Sequence, residues 1–330
     1  MQRRAALTGV TAAVFTALAS AVTDHFAAGD GPRRNVGDGS RAIQVALRRS
    51  HTSYQHSRYA AAARDLPSVL ALAQEPGSAS ARTAGRLSAE AYQVASGLFL
   101  KAEEPALAAI CADRSFTAAV STGDELIRAS STRAVVHTLL TAGHAAAAVD
   151  VAVTAADRLA ARTDMRTDAA LSLYGALLLR GAVAAARLGD ISQAHRLLDD
   201  AEHAATRLGA DRNVCWTAFG PTNVAAHRVA IAVESGDAGT AVRLARTVDL
   251  RQMKLPERKA MLLLDAARAF TQWGKCDQAL ECVQRAEQQA PEEVRSRPAV
   301  QQLVLDIVQR SPASAKRRAQ EFAATVGVLP

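Results

Sequence analysis

Residues Leu263–Pro291 read LLDAARAFTQWGKCDQALECVQRAEQQAP. Leu263, Ala266, Ala267 and Phe270 recur at three- to four-residue spacing, the period of one helix face. Gly274 then interrupts the pattern. Ala279, Val283 and Ala286 resume it, and Pro291 closes the stretch. A glycine past the end of a helix accepts the left-handed backbone that penalises a side chain. Small residues on the returning helix let the two helices approach closely. The stretch therefore predicts two antiparallel helices joined by a tight turn.

The same arrangement recurs along the chain. Gly143, Gly189, Gly236 and Gly274 are each followed five residues later by alanine: Ala148, Ala194, Ala241 and Ala279. Seven residues further stand Ala155, Ala201, Val248 and Ala286. Ser57 with Ala62 and Glu103 with Ala108 fit more loosely. Self-similarity on this scale marks a helical array whose units bury their faces against one another. The Leu263–Pro291 unit resembles a tetratricopeptide repeat. The Gly189 unit is similar through Leu178, Gly181, Ala182, Ala185, Ala194, Leu198 and Ala201, but has no aromatic in its first helix. The spacings exceed the usual period of about 34 residues. The expectation is an all-α, right-handed α-solenoid of about six irregular helix-turn-helix units. Asp157–Asp168 and Leu208–Pro221 read as its long connectors.

Composition agrees. The 330 residues are rich in Ala, Leu and Arg, the strongest helix formers, with only 4% aromatics. The net charge of +7 sits at the ends: eight Lys/Arg face three Asp/Glu in residues 1–58, and six face two in 295–330. The middle carries no basic stripe of the kind a DNA-reading helix shows. Four scattered cysteines, Cys111, Cys215, Cys276 and Cys282, form no Cys-x-x-Cys pair and read as small core residues.

Four segments are expected. Residues 1–28 form an Ala-rich apolar N-terminal helix. Its Arg3-Arg4 and small-residue sites also fit an export signal. Residues 29–39 are a Gly-rich linker, with no preceding strand and no Gly-Lys-Ser/Thr to make a phosphate loop. Residues 40–310 are the repeat domain, and 311–330 a basic C-terminal helix or tail. Helices are predicted over 58–74, 168–188, 190–208, 221–235 and 256–273, among others. Asp124, Asp190, Asp237 and Asp277 fall at or just inside helix starts, where carboxylates cap free N–H groups.

No catalytic motif, metal-ligand spacing or cofactor signature emerges. His51/His56, His137/His144 and His195/His203 miss the four-residue spacing of a helical ligand pair. One segment departs from the repeat: Arg212–Arg228, RNVCWTAFGPTNVAAHR, with one of two tryptophans. It supplies the candidate binding residues Asn213, Trp216, Phe219, Thr222, Asn223, His227 and Arg228. Asn223 and His227 share a helix face four residues apart. The competing reading is structural: Trp216 and Phe219 fill the connector's gap, and Asn223 and His227 bond its backbone. Leu255–Arg258 and Ala290–Pro298 read as polar corners between helices.

Several runs carry a wider resemblance. They are Tyr59 with Leu66-Pro67, Lys101, Ala112-Asp113-Arg114, Tyr174–Arg180, Phe219–Val224, Pro256-Glu257-Arg258 and Ala290–Pro298. Over about residues 50–310 the chain resembles the C-terminal tetratricopeptide-like half of actinobacterial transcriptional regulators. In that family a Cro-repressor-type helix-turn-helix precedes the repeats. The resemblance implies a cytoplasmic, non-enzymatic regulatory scaffold with a protein or peptide partner. A small-molecule effector and an exported binding protein are the alternatives, and a homodimer is compatible with it. With no helix-turn-helix among these residues, direct DNA binding is not expected of them.

Overall fold

The structure is a computed structural model, which describes residues 9–24, 39–73 and 80–329. Most of the expected linker and the Arg3-Arg4 pair lie outside the described residues. Among the described residues the chain is helical with no strand, and neighbouring helices pack together. It forms two compact units. Residues up to Tyr54 join Arg58–Met165 in the first, and Gln55–Ser57 join Arg166 onward in the second.

The first unit holds α1 (Gly9–Asp24), α2 (Gly39–Gln55, its last residue grouping with the second unit), α3 (Tyr59–Arg64) and α4 (Leu66–Ala73). They are followed by α5 (Ala81–Lys101), α6 (Pro105–Ser121), α7 (Glu125–Thr141) and α8 (Ala145–Arg162). α1 packs on α3, α4 and α6, with Leu18 and Val22 fully buried. Arg114 Nη1 donates to the Val22 carbonyl at 2.8 Å, which ties the end of α1 to α6. The single helix predicted over 58–74 is two. Pro67 has no N–H to bond the carbonyl four residues back, at Ala63, so the ladder breaks: α3 stops at Arg64 and α4 restarts at Leu66. The connector expected over 157–168 is shorter, because α8 continues to Arg162. Arg158 holds that last stretch by a two-pronged ion pair to Glu125, at 2.8 and 2.6 Å. Those bonds keep the Glu125 carboxyl below its ordinary range.

The second unit holds α9 (Asp168–Arg187), α10 (Ile191–Leu208), α11 (Pro221–Glu234), α12 (Ala238–Thr247), α13 (Pro256–Gln272) and α14 (Cys276–Gln289). It ends with α15 (Pro291–Arg295), α16 (Pro298–Arg310) and α17 (Ala313–Thr325). α9 packs on α10, α11 on α12 and α13 on α14, while α9, α11 and α13 contact one another in succession. α9 is long and apolar enough to cross a membrane by length and composition. With 83% of its most apolar window buried, it serves as the core helix of its unit.

One turn is used repeatedly. Gly143, Gly189, Gly236 and Gly274 have φ of 85°, 80°, 77° and 75°. The next residue's N–H reaches the carbonyl five residues back: Asp190 to Ala185 at 3.0 Å, Asp237 to Ala232 at 2.9 Å, Lys275 to Phe270 at 2.8 Å. This satisfies carbonyls that a helix end would leave open. Ser57 and Glu103, the two loose fits, adopt the same left-handed backbone at φ 54° and 57°. Arg58 and Glu104 make the corresponding bonds to Ser53 and Phe99. The alanine five residues on is fully buried in all six: Ala62, Ala108, Ala148, Ala194, Ala241 and Ala279. Ala155 is only half-buried, and Ala152 and Ala156 take its place on the packed face. Asp124, Asp190 and Asp237 cap their helices by accepting N–H bonds. Asp277 lies inside α14 and pairs with Arg318 of α17 instead.

The 290–298 corner is a short helix, not an irregular turn. Ala290 and Val294 are fully buried in it. Its Glu293, also fully buried, pairs with Arg297 at 2.7 Å. The basic C-terminal stretch likewise contains a packed helix. α17 buries Ala315, Ala319 and Ala323 and contacts α14 and α16. The four cysteines are free thiols, three of them buried. Burial pushes Cys111 up to about 12 and Cys282 up to about 11.

A candidate binding cleft at the 209–220 connector

α10 ends at Leu208, with left-handed Gly209 after it, and α11 begins at Pro221. The residues between them fold back on themselves. The Arg212 N–H donates to the Phe219 carbonyl at 2.9 Å, closing the loop's neck. Asp211 Oδ1 accepts the Thr222 N–H at 3.0 Å and so caps α11. Asn213 Oδ1 accepts the Ala218 N–H at 3.1 Å. Thr217 Oγ1 donates to the Val214 carbonyl at 2.8 Å. Inside this loop Cys215, Trp216 and Ala218 all take left-handed backbone, at φ 51°, 57° and 53°. Each such non-glycine residue costs about 1–2 kcal/mol, so the surrounding contacts must hold the conformation.

Two of those contacts are far apart in sequence. Gln55 and Asn213 exchange hydrogen bonds through both ends of their amides, at 3.0 and 2.7 Å. Gln55 Nε2 also donates to the Trp216 carbonyl at 3.2 Å. Phe219, fully buried, lies against Gly175 of α9. A Cβ at position 175 would sit 1.9 Å from its Cζ. The backbone at Gly220 passes as close to Asp211, where a Cβ would meet Oδ1 at 2.4 Å.

Beside this loop opens a cleft of about 110 Å³. The connector and α11 contribute Asp211, Arg212, Asn213, Ala218, Thr222 and Asn223. The α12–α13 connection and the start of α13 contribute Gln252, Met253, Lys254, Leu255 and Arg258. Asn223 is 7% exposed, yet its carboxamide has no hydrogen-bond partner among the described residues. Neither amide atom is fully sealed from solvent, so a group entering the cleft can take the place of water there. Arg258 differs. Its Nε is buried without an acceptor, and its nearest carboxylate is Glu257 Oε2 at 3.4 Å. Thr222 donates its hydroxyl to Gln252 Oε1 at 3.3 Å, joining the two walls.

The seven candidates from the sequence therefore separate. Asn213, Thr222 and Asn223 line the cleft. Asn213 spends its amide on Gln55 and Ala218, and so positions the loop. Phe219 is a buried plug, and Trp216 is half-buried away from the cleft's lining. Arg228 bridges to Asp199 and Glu202 of α10, at 3.2 and 2.7 Å. His227 Nδ1 donates to the Asn223 backbone carbonyl at 2.8 Å. Burial, and then the neighbouring Arg180 guanidinium, push its imidazole down to about 3, with Arg258 adding to the effect. It is neutral at ordinary pH. Sequence reading missed residues 252–254 and gave Leu255 and Arg258 only a corner's role. Nothing local in their chemistry signals that the fold brings them against Asn223.

No family model matches the chain, and no curated protein matches it.

Proposed function

We propose that the chain is a non-enzymatic, tetratricopeptide-like regulatory scaffold, coiled as a right-handed solenoid. It binds a protein or peptide partner at the 209–220 cleft. The reading rests chiefly on Asn223, whose carboxamide has no partner among the described residues, in the lining of a cleft beside strained backbone. The shared left-handed turn at six positions supports the repeat character. The resemblance to the sensing half of actinobacterial helix-turn-helix regulators supports a cytoplasmic role in transcriptional control. The packing of Leu18 and Val22 into the first unit's core is consistent with residues 9–24 being kept in the mature protein. The small volume of the cleft counts against the alternative reading, a sensor that encloses a small effector. Pockets that enclose whole ligands usually measure about 300–1,000 Å³.

The test is affinity capture from a native cell extract on the immobilised full chain, beside its Asn223→Leu variant. Proteins, peptides and small molecules are all identified by mass spectrometry. A partner kept by the wild type and lost by the variant supports the reading. Equal retention by both, with the variant equally helical, removes the cleft from partner binding.

A further inference from the structure

We propose that the exposed face of α2 is a docking surface for an acidic, amphipathic helix of a partner protein. The proposal goes beyond the cleft. It concerns the first unit and uses none of the cleft's residues.

Helical spacing defines the face. Arg41, Val45, Arg48, Arg49 and Thr52 are all exposed and fall within about 60° of Val45 around the helix axis. Ile43 and Leu47, on the other side, are buried in the first unit's core. Val45 is 44% exposed, one of four large apolar residues this open among the described residues. The three arginines stand one turn before it and one turn after it. An apolar centre with a charged rim is the anatomy of a protein interface, where arginine is enriched and lysine depleted.

The charge of this face is unanswered. From residue 39 to 64 the sequence holds no Asp or Glu. Arg49 reaches Asp65 at 3.6 Å, through a side chain 68% exposed, and such a surface pair holds the charge weakly. Arg41 and Arg48 have no carboxylate partner among the described residues. Arg41 also lies in the first turn of α2, where the helix dipole disfavours a cation and no acidic residue offsets it. The arginines therefore do little for the helix itself, and carboxylates from outside would relieve their repulsion.

A helix with glutamates one turn either side of a leucine fits this face. Its leucine covers Val45, and its carboxylates meet the guanidinium forks. From Arg41 to Thr52 the face runs about 16 Å, or three turns of such a helix. Duplex DNA offers phosphates but nothing to cover Val45. An anionic membrane takes up the apolar side of a helix, and that side of α2 is already packed in the core.

The experiment is fluorescence anisotropy of labelled probes on the full chain. The main probe is a helical peptide of about twenty residues, with leucines flanked at four-residue spacing by glutamates. A second peptide has the same composition, with its leucines moved to the face opposite the glutamates. The others are a DNA duplex of about twenty base pairs and vesicles of phosphatidylcholine with phosphatidylserine. The first peptide should bind several-fold more tightly than the second, and more tightly than duplex or vesicles. Arg48→Glu should weaken it at least about tenfold, because the variant sets like charges face to face. Val45→Ser should weaken it several-fold. Arg246→Glu makes the same charge change on exposed α12, and Asn223→Leu alters the cleft. Neither should change the affinity. Circular dichroism of each variant checks folding. No binding of the first peptide, equal binding of both peptides, or equal losses in Arg48→Glu and Arg246→Glu would overturn the proposal. Tighter binding of duplex or vesicles, lost in Arg48→Glu, would overturn it in favour of that partner. Peptide binding lost in Asn223→Leu would place the acidic helix at the cleft and overturn α2 as its site.

Discussion

Two kinds of helix connection stand side by side in the second unit. At Leu188-Gly189-Asp190 the chain reverses in three residues. The glycine supplies the left-handed backbone, and a Cβ added there would meet nothing within 4 Å. At 209–220 the chain takes twelve residues to pass from one helix to the next. It forces non-glycine residues left-handed and packs its phenylalanine against a glycine of α9. The first connection is cheap, local and repeated. The second is strained, dependent on distant residues and used once. On the function proposed above, the irregular connection is where specificity would reside. The repeated turn builds the array, and the irregular one carries the cleft.

The sharpest way to break the comparison is at the plug. Phe219→Ala should cost about 3–5 kcal/mol, the usual price of emptying a buried aromatic site. Gly175→Ala alone should cost about 1–3 kcal/mol by overpacking, since its methyl has no room beside the ring. In the Phe219→Ala background the same methyl enters vacated space, so its cost should vanish or reverse. Denaturant midpoints of the four chains measure the coupling, and simple additivity would contradict the packing described.

Gly189→Ala should cost about 1–2 kcal/mol through backbone alone and leave partner capture unchanged. A loss of binding there would make the regular turn part of the site.

Gln55→Ala removes both amide bonds to Asn213. A destabilisation of about 1–2 kcal/mol is expected, together with faster hydrogen exchange at the Ala218 amide. Unchanged exchange would show that the loop holds itself without Gln55.

The smallest effect is on pH. His227 is held near 3 in the folded chain against about 6.5 when unfolded. The unfolded chain therefore takes up its proton first, and stability falls as pH drops from about 6.5 toward 3. Above that window the group contributes no pH dependence. His51 in the first unit, pushed down to about 3 by burial and then by Arg133, behaves alike. Replacing either histidine with glutamine should reduce the slope of stability by up to one proton, about 1.4 kcal/mol per pH unit. A slope unchanged in both variants would place the acid sensitivity elsewhere.

The sequence revealed what local chemistry controls. Glycines and alanines at fixed offsets mark the turns, and the spacing reaches even Ser57 and Glu103, which are left-handed without being glycine. Asp124, Asp190 and Asp237 could be read as caps because a cap bonds within three residues. The cleft was half legible. A tryptophan and amides around a Gly-Pro step pointed to the segment, but not to which side chains are free. Asn213 is occupied by a partner 158 residues away, which no local pattern announces. Gly175 reads as an ordinary helix glycine until Phe219 is placed on it. Residues 252–254 lack any motif, Leu255–Arg258 read only as a corner, and the packing of α11 on α13 is what brings both beside Asn223.

The most direct test of the central claim is a map of backbone amide chemical shifts on adding the partner captured by the full chain. The account predicts perturbations concentrated in residues 211–223 and 252–258, with the turns at 188–190, 235–237 and 273–275 unmoved. Perturbations centred on those turns, or none at 211–223 under saturating partner, would contradict it.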